Sequence, residues 1–579
     1  MIQRQQFWQG LLLTASFGLI MDSVNAQSLT VVYPPANHET TANSIFVIGS
    51  ASNDNPVYIN GKPIDRSPQG HFAPSIPLQT GKNELVIRFG NEEIKRIVTK
   101  KDTPQPSQFT PVFPSQNISR LPQELVCFQA VAPYQSEVSV DINGEIINLT
   151  PDLTIANLPS NSAILIGDNE GEKITSQSWI NKKGCASFTN INTTVTPTFK
   201  MIDRATTVQE ISQGNVTILN PQELTVIEVI SEQGVARTGS STNHSRLTPL
   251  PRGTRASVTG RDGDWLRLDY GGWIKAEETR VLPTNAPPTS IIRSVSSRRF
   301  DNRTEVIFPL QNPVPISIRQ GDDTFTLTLH NTTAQTDTIR FDDDSLIKRL
   351  DWYQTSPSQV DYIFNFKSSR QWGYDVRYEG SNLVLTFNHA PANIQGTTIL
   401  LDPGHGGEEK GALGGTGYPE KDVNLVVSLL LAEELRNRGV TVYLTRETDT
   451  FVSLVDRQRM INQLKPHLAF SIHYNALPDG GNAEKTQGIS TFWYHPQAHD
   501  ISVFLHNYLT EKLDRPSYGV YWNNLALTRP HTAPSVLLEL GFMINPYEFE
   551  WITNPQAQQQ LARSIADGII VWLSEGMKN

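Results

Sequence analysis

Cysteine is nearly missing from this chain: Cys127 and Cys185 are the only two in 579 residues. In an exported protein such a pair more often closes a disulfide than builds a metal or catalytic site, so a structural bridge is expected, with two separate buried thiols as the alternative. The bridge would restrict the unfolded chain by roughly 4 kcal/mol. No cysteine precedes Cys127, which excludes a lipid-modified cysteine at the N-terminal cleavage site. Basic blocks are missing too. With a net charge of −10 and no Lys- or Arg-rich run, the chain lacks the positive field that nucleic-acid binding needs, and nucleic acid is not an expected partner. The glycines of residues 404–417 have neither GxGxxG spacing nor a Gly-Lys-Ser/Thr ending, which argues against a nucleotide-phosphate loop.

Long apolar runs are also lacking. The N-terminus carries Arg4, a largely apolar stretch over 7–21 broken by Gln9, and then Val24-Asn25-Ala26, a pattern suited to signal-peptidase cleavage before Gln27. The stretch falls short of the roughly 20 apolar residues that cross a bilayer. Residues 1–26 are therefore expected to be a cleaved export signal rather than an anchor. The mature protein would then have no stable membrane span and would reside in the periplasm or cell wall.

At about 150 residues per domain, 579 residues predict three to five folded units. The 38% hydrophobic and 18% charged fractions are those of soluble globular domains, and 37 prolines and 38 glycines favour short strands and linkers over long helices. Over 27–101, alternating runs such as Ile45-Phe46-Val47-Ile48 and Glu84-Leu85-Val86-Ile87-Arg88, separated by Asn60-Gly61-Lys62, predict a β-sandwich, and the pattern resembles the immunoglobulin-like modules of bacterial surface proteins. Residues 118–223 predict a β-rich unit around the cysteine pair. Over 224–282, Val235-Ala236-Arg237-Thr238-Gly239, Leu250-Pro251-Arg252-Gly253, Gly263-Asp264-Trp265 and Gly272-Trp273-Ile274 follow the order of bacterial SH3-like barrels. Trp265 and Trp273 could line a groove or fill the core there. Over 290–391, Thr304-Glu305-Val306-Ile307-Phe308 and Asn382-Leu383-Val384-Leu385-Thr386-Phe387 resemble the AMIN domain, a β-module that helps place wall amidases in the envelope.

From 397 to 579 the period changes. Strands are predicted over 398–401, 440–445, 468–472, 489–493 and 536–540. Helices are predicted over 423–435, capped by Asp422 and stopped by Gly439, and over 454–464, 501–513 and 557–573. The expected packing is an open α/β sheet with helices on both faces. Carboxyl ends of strands in such a sheet line one crevice, which can bring His405, Glu420, His473 and Glu539 together. Two imidazoles and one carboxylate suit zinc and leave the fourth tetrahedral position for water. Zinc lowers the pKa of that water from about 15.7 to roughly 7 and polarises an amide carbonyl. Glu539, flanked by Val536-Leu537-Leu538 and Gly541-Phe542, is poised to carry the proton to the departing nitrogen. Taken singly, each residue has an ordinary structural role open to it: a loop hydrogen bond for His405, a strand end for His473, a helix-start charge for Glu420.

The order of motifs is more specific. Leu401-Asp402-Pro403-Gly404-His405-Gly406-Gly407, Glu420-Lys421-Asp422-Val423-Asn424-Leu425, Leu444-Thr445-Arg446, Ser471-Ile472-His473-Tyr474-Asn475 and Leu538-Glu539-Leu540-Gly541-Phe542 resemble the zinc-dependent N-acetylmuramoyl-L-alanine amidases with an Amidase 3 catalytic domain. The resemblance implies that His405, Glu420 and His473 bind zinc and that Glu539 is catalytic. It also implies hydrolysis of the amide between N-acetylmuramic acid and L-alanine in peptidoglycan, for wall remodelling or daughter-cell separation. Arg446 and Arg529 match arginines near the family's cleft and are candidates for substrate contact or for structural ion pairing. Asn475 is a further substrate-side candidate, and Asn475 and Asp402 can orient the ligands. Two departures stand out. Ser517-Tyr518 occupy the place where many members carry arginine, and only residues 476–487 separate Asn475 from the next strand, where regulated relatives insert a long blocking helix. A cleft without that plug is expected, with placement or restraint left to the β-modules or an envelope or division partner. The rival readings are an inactive wall-binding scaffold and a peptidase acting within the stem peptide.

Overall fold

The computed structural model describes residues 29–101, 109, 112–152, 179–204, 206–341 and 343–576; the expected export signal at 1–26 lies outside them. Among the described residues before 397, alternation of apolar and polar side chains builds regular structure that is strand apart from one short 3-10 turn at Ala276–Glu278, as a period of two requires. In the first unit, Gly81–Phe89 pairs with Glu92–Lys100 along its whole length, and Val47, Val57, Ile87 and Val98 are buried between its sheets. In the second, Leu125–Pro133 lies antiparallel to Trp179–Ser187 with Cys127 opposite Cys185, and the two are joined in a disulfide.

The division expected between 118–223 and 224–282 is not a break in hydrogen bonding. One edge of the strand Arg255–Asp262 is taken by Val226–Val229 only as far as Ser257, and its far end, Arg261 and Asp262, pairs with Ser119 and Ile118. An eight-residue strand thus outruns its partner and presents an open edge that the neighbouring unit fills. The two apolar cores nevertheless stay separate. Trp273 is buried beneath the guanidinium groups of Arg120 and Arg267, 5.5 and 6.0 Å from its ring centre. Further on, a five-stranded and a four-stranded sheet enclose Phe308, Phe325, Phe364 and Phe387.

The C-terminal domain holds a six-stranded mixed sheet. Its strands are β1 (Thr398–Pro403), β2 (Thr441–Leu444), β3 (Leu468–Asn475), β4 (Ile489–Trp493), β5 (Ser517–Trp522) and β6 (Ser535–Phe542), in the order β2-β1-β3-β6-β4-β5. β1, β2, β3 and β6 run parallel, and β4 is antiparallel to β6. Helices α1 (Glu420–Asn437), α3 (His499–Leu513) and α5 (Pro555–Gly576) pack with Ile399, Leu401, Phe470 and Leu538 on one face. Helix α2 (Leu454–Leu464) covers Leu400 and Ala469 on the other through Ile461. α1 begins at Glu420 with Pro419 in the capping position, so Asp422 sits in the first turn instead of capping it. Among the described residues no helix is long and apolar enough to cross a membrane.

The strand-rich units pack onto this domain. Trp372 lies 5.5 Å from Trp572, whose ring also carries Arg370 at 4.3 Å. Phe46, Ile48 and Ala73 of the first unit join Leu477, Ala483, Phe542 and Ile544 in one apolar cluster. Beside it Asp479 accepts hydrogen bonds from Tyr33 Oη and, at 2.8 Å, from His38 Nε2.

Candidate metal centre and active site

Parallel pairing of β1, β3 and β6 puts their carboxyl ends side by side, with Pro403 opposite Ile472 and His473 opposite Glu539. The chain leaves β1 through Gly404 into His405, which adopts φ 58°. Left-handed backbone at a residue with a Cβ costs about 1–2 kcal/mol and persists where its surroundings over-determine it. Here Arg457 does so by donating to the His405 carbonyl at 2.7 Å and to the Pro403 carbonyl at 2.8 Å. Glu420, in the first turn of α1, points back at the same spot. Its Oε2 lies 3.2 Å from His405 Nε2 and its Oε1 2.9 Å from His473 Nδ1. The three potential ligand atoms all fall within 4.8 Å of one another.

The remaining lone pairs of Glu420 are occupied by protein. Oε1 accepts from the Tyr474 N–H and from Asn424 Nδ2, both at 3.1 Å, and Oε2 accepts from the Ala412 N–H at 2.9 Å. Burial pushes the Glu420 carboxyl up, but the hydrogen bonds from His405 and His473 outweigh it and hold the group far below its usual range. For His405, burial favours the neutral ring, but hydrogen bonding to and the charge of Glu420 win and raise it. Side-chain exposures of 30% for His405, 17% for His473 and 4% for Glu420 describe a carboxylate fixed at the base and two imidazoles open on one side.

Two glycines shape the cradle. A Cβ on Gly404 would collide with the His473 ring; one on Gly411 would strike Glu420 Oε2 and come within 2.7 Å of the His405 ring. The space against the imidazoles thus exists because side chains are missing, and the donors that face it, two ring nitrogens and a carboxylate oxygen, are those zinc takes at catalytic sites.

Glu539 is half-buried, and its Oε2 is enclosed without a hydrogen-bond partner. Burial, then the nearby Glu420 charge, push its carboxyl well above the usual range. A bulge follows directly: Asn475 pairs with Phe542, one residue out of step, with Gly541 at φ +131°. Bulges commonly re-aim side chains beside active sites. The buried Glu548 fixes this one by accepting from the Phe542 N–H at 2.7 Å and from Arg515 at 2.7 Å.

Other candidates fall elsewhere. Arg446 spends its guanidinium on the carbonyls of Pro403, Gly404, Thr448 and Lys421, at 2.8 to 3.1 Å, and is buried; it holds the ligand loop and offers no free fork to a substrate. Asp402 accepts from Thr445, Ser471 and Arg457 beneath the ligands. Asn475 closes its own turn, Oδ1 to the Ala476 N–H at 2.8 Å. Arg529 is not at the cleft. It precedes β6, and its carbonyl accepts from His495, which follows the far end of the antiparallel β4, so it sits at the end of the sheet opposite Glu539. His531, two residues further on, stacks there on Tyr374 at 4.7 Å.

Sequence reasoning missed Arg457 and Asn424. Both carried a signal: Asn424 lies four residues after Glu420 on the same helical face, and Arg457 occupies the position four before the core residue Ile461. It also missed what flanks the centre. The first unit touches the segment after β3 (Leu477, Asp479, Ala483), the end of β6 and the residues after it (Phe542, Ile544) and, through His71 and the Gly49 carbonyl, Gly415 in the loop before Glu420.

Residues 399–571 match the family model described as N-acetylmuramoyl-L-alanine amidase. Over 210 residues, 36% of this chain, it is 36% identical to the probable cell wall amidase LytH of Staphylococcus aureus and spans 69% of that protein. The chain belongs to the N-acetylmuramoyl-L-alanine amidase family. Among solved structures, an amidase of Clostridium difficile 630 is 30% identical over 31% of this chain and 97% of its own, with a TM-score of 0.30. Amidase AmiC2 of Nostoc punctiforme is 29% identical over 31% of this chain and 97% of its own, also with a TM-score of 0.30. The matched segment of this amidase contains His405, Glu420, His473 and Glu539.

Proposed function

We propose that this chain is an exported, zinc-dependent N-acetylmuramoyl-L-alanine amidase that cuts the amide joining N-acetylmuramic acid to L-alanine in peptidoglycan. The observation that carries the reading is the convergence of His405, Glu420 and His473 beside Glu539 within the segment that matches the family. His405, Glu420 and His473 hold the zinc, which when bound supplies Lewis acidity toward the carbonyl and acidifies water. Glu420 is pinned by Tyr474, Asn424 and Ala412, so it cannot swing to serve as base. Glu539 fills that role: its carboxylate, with Oε2 enclosed, takes a proton from the water whose oxygen adds to the amide carbonyl carbon, and delivers it to the L-alanine nitrogen as the C–N bond breaks. Arg446, Arg457 and Asp402 orient the His405 loop.

Export is supported by the N-terminal pattern, by the Cys127–Cys185 disulfide, which suits an oxidising compartment, and by the wall amidases it resembles. The strand-rich units, immunoglobulin-like, SH3-like and AMIN-like by sequence, place the amidase on the wall or against an envelope partner. Digestion of purified peptidoglycan tests the reading. Intact stem peptides with a free L-alanine amine are expected. Fragments cut within the peptide would mean a peptidase, and no release from a zinc-loaded protein would mean a scaffold.

A further inference from the structure

At the end of the sheet opposite the metal centre, a cavity of about 430 Å³ is walled jointly by the 224–282 unit, the 290–391 unit and the amidase domain. Each contributes one arginine: Arg246, Arg319 and Arg529. No aspartate or glutamate lines the cavity among the described residues. Burial and then the charge of Arg246 lower the proton affinity of Arg529, and burial and then Arg237, bridged to Arg246 through the backbone, lower that of Arg246. The carboxylate that acts on Arg246 is Glu278, whose Oε2 is occupied by the Val235 N–H at 2.8 Å. Arg529 spends its donors on Asn524, not on an acid. The lining histidines add no charge at neutral pH: burial pushes His495 down to about 3 and His531 down to about 4.

Bringing guanidinium groups from separate units to one cavity, with Arg246 and Arg529 partly buried and no carboxylate in the lining, is unfavourable unless an anion completes the site. The other wall is aromatic, with Tyr494 and Trp522 5.3 Å apart and Trp522 62% exposed at the mouth. A bare inorganic ion has no use for that wall. An organic carboxylate with a flat amide-bearing body uses both, its carboxyl forked by arginine and its backbone laid on the rings. We infer that this three-unit cavity is a binding site for the carboxyl-bearing peptide of peptidoglycan, separate from the scissile bond at the far end of the sheet. The inference rests on the amidase reading for its choice of ligand. It gives the strand-rich units a second grip on the polymer, available only when they are docked on the amidase domain.

The test is calorimetric titration of the full chain with a synthetic stem tetrapeptide, with the same peptide amidated at its carboxyl groups, and with inorganic phosphate. The free acid is expected to bind. Arg246→Glu is expected to weaken it about tenfold or more, the loss typical of a charge-assisted pair, and Arg246→Lys, which keeps the charge but not the fork, to fall between. Hydrolysis of a small soluble muropeptide should be unchanged in both variants, while KM on intact peptidoglycan rises. Equal binding of acid and amide, displacement of the peptide by equimolar phosphate, or wild-type affinity in a folded Arg246→Lys and Arg246→Glu pair would overturn the assignment. Binding is read without turnover, so its absence and a failure of the amidase reading are separate results.

Discussion

Arg457→Met tests how the metal loop is held. Arg457 and Asp402 are 2% and 1% exposed and are paired directly. Arg457 also donates to the carbonyls of Val452 at 2.9 Å, Pro403 at 2.8 Å and His405 at 2.7 Å. Methionine keeps most of the volume and removes every donor. Breaking a buried pair from one side costs about 3–5 kcal/mol. Asp402 keeps its bonds from Thr445 at 2.5 Å and Ser471 at 2.6 Å, which places the expected loss near the low end, about 3 kcal/mol. His405 meanwhile loses the bond that stabilises its left-handed backbone, so zinc affinity should fall about 10- to 100-fold, as when support behind a metal ligand is removed. Urea unfolding of the metal-free protein reads the first quantity, and competition with a chelator reads the second. A variant destabilised as expected but binding zinc like the wild type would refute the argument that this arginine shapes the ligand loop.

Gly404→Ala should fold yet lose most metal affinity, because its methyl would enter the space of the His473 ring; chelator competition measures it. Burial raises the Asp479 carboxyl, but hydrogen bonds from His38 and Tyr33 outweigh it and hold it below its usual value. Its contribution to docking of the first unit is therefore complete above about pH 4 and is lost as the pH falls through the lowered value. Protection factors of amides in residues 477–483 should fall below that pH in the wild type, and at pH 7 in Asp479→Asn. Replacing both cysteines with serine should cost about 4 kcal/mol for a bridge spanning 58 positions, seen as a lower urea midpoint.

The catalytic domain was legible because its signals are local. Val423, Val427, Leu431 and Leu435 recur at helical spacing and are fully buried in α1, and the strands that carry the ligands read as apolar runs because both faces of the sheet are covered. β5 and the helix α4 (Pro546–Ile552) were not legible. Ser517–Trp522 shows no inside-outside alternation, and Pro546–Ile552 is only seven residues long. His405, Glu420, His473 and Glu539 could be grouped because motif order and strand-end geometry point to the same crevice. Arg446 and Arg529 could not be sorted by type, since an arginine that binds carbonyls reads like one that binds substrate. The docking of the first unit was hidden for another reason. Tyr33 and Asp479 are 446 residues apart, and no periodicity reports contacts at that range.

The central claim is that three residues hold zinc while a fourth moves the proton. Zinc content and peptidoglycan digestion, measured on the same preparations of wild type, His405→Ala and Glu539→Ala, test it directly. The expected outcome is that Glu539→Ala keeps its zinc and loses about 10²–10⁴ in turnover, and His405→Ala loses both. Full release of stem peptides by zinc-loaded Glu539→Ala would contradict the account.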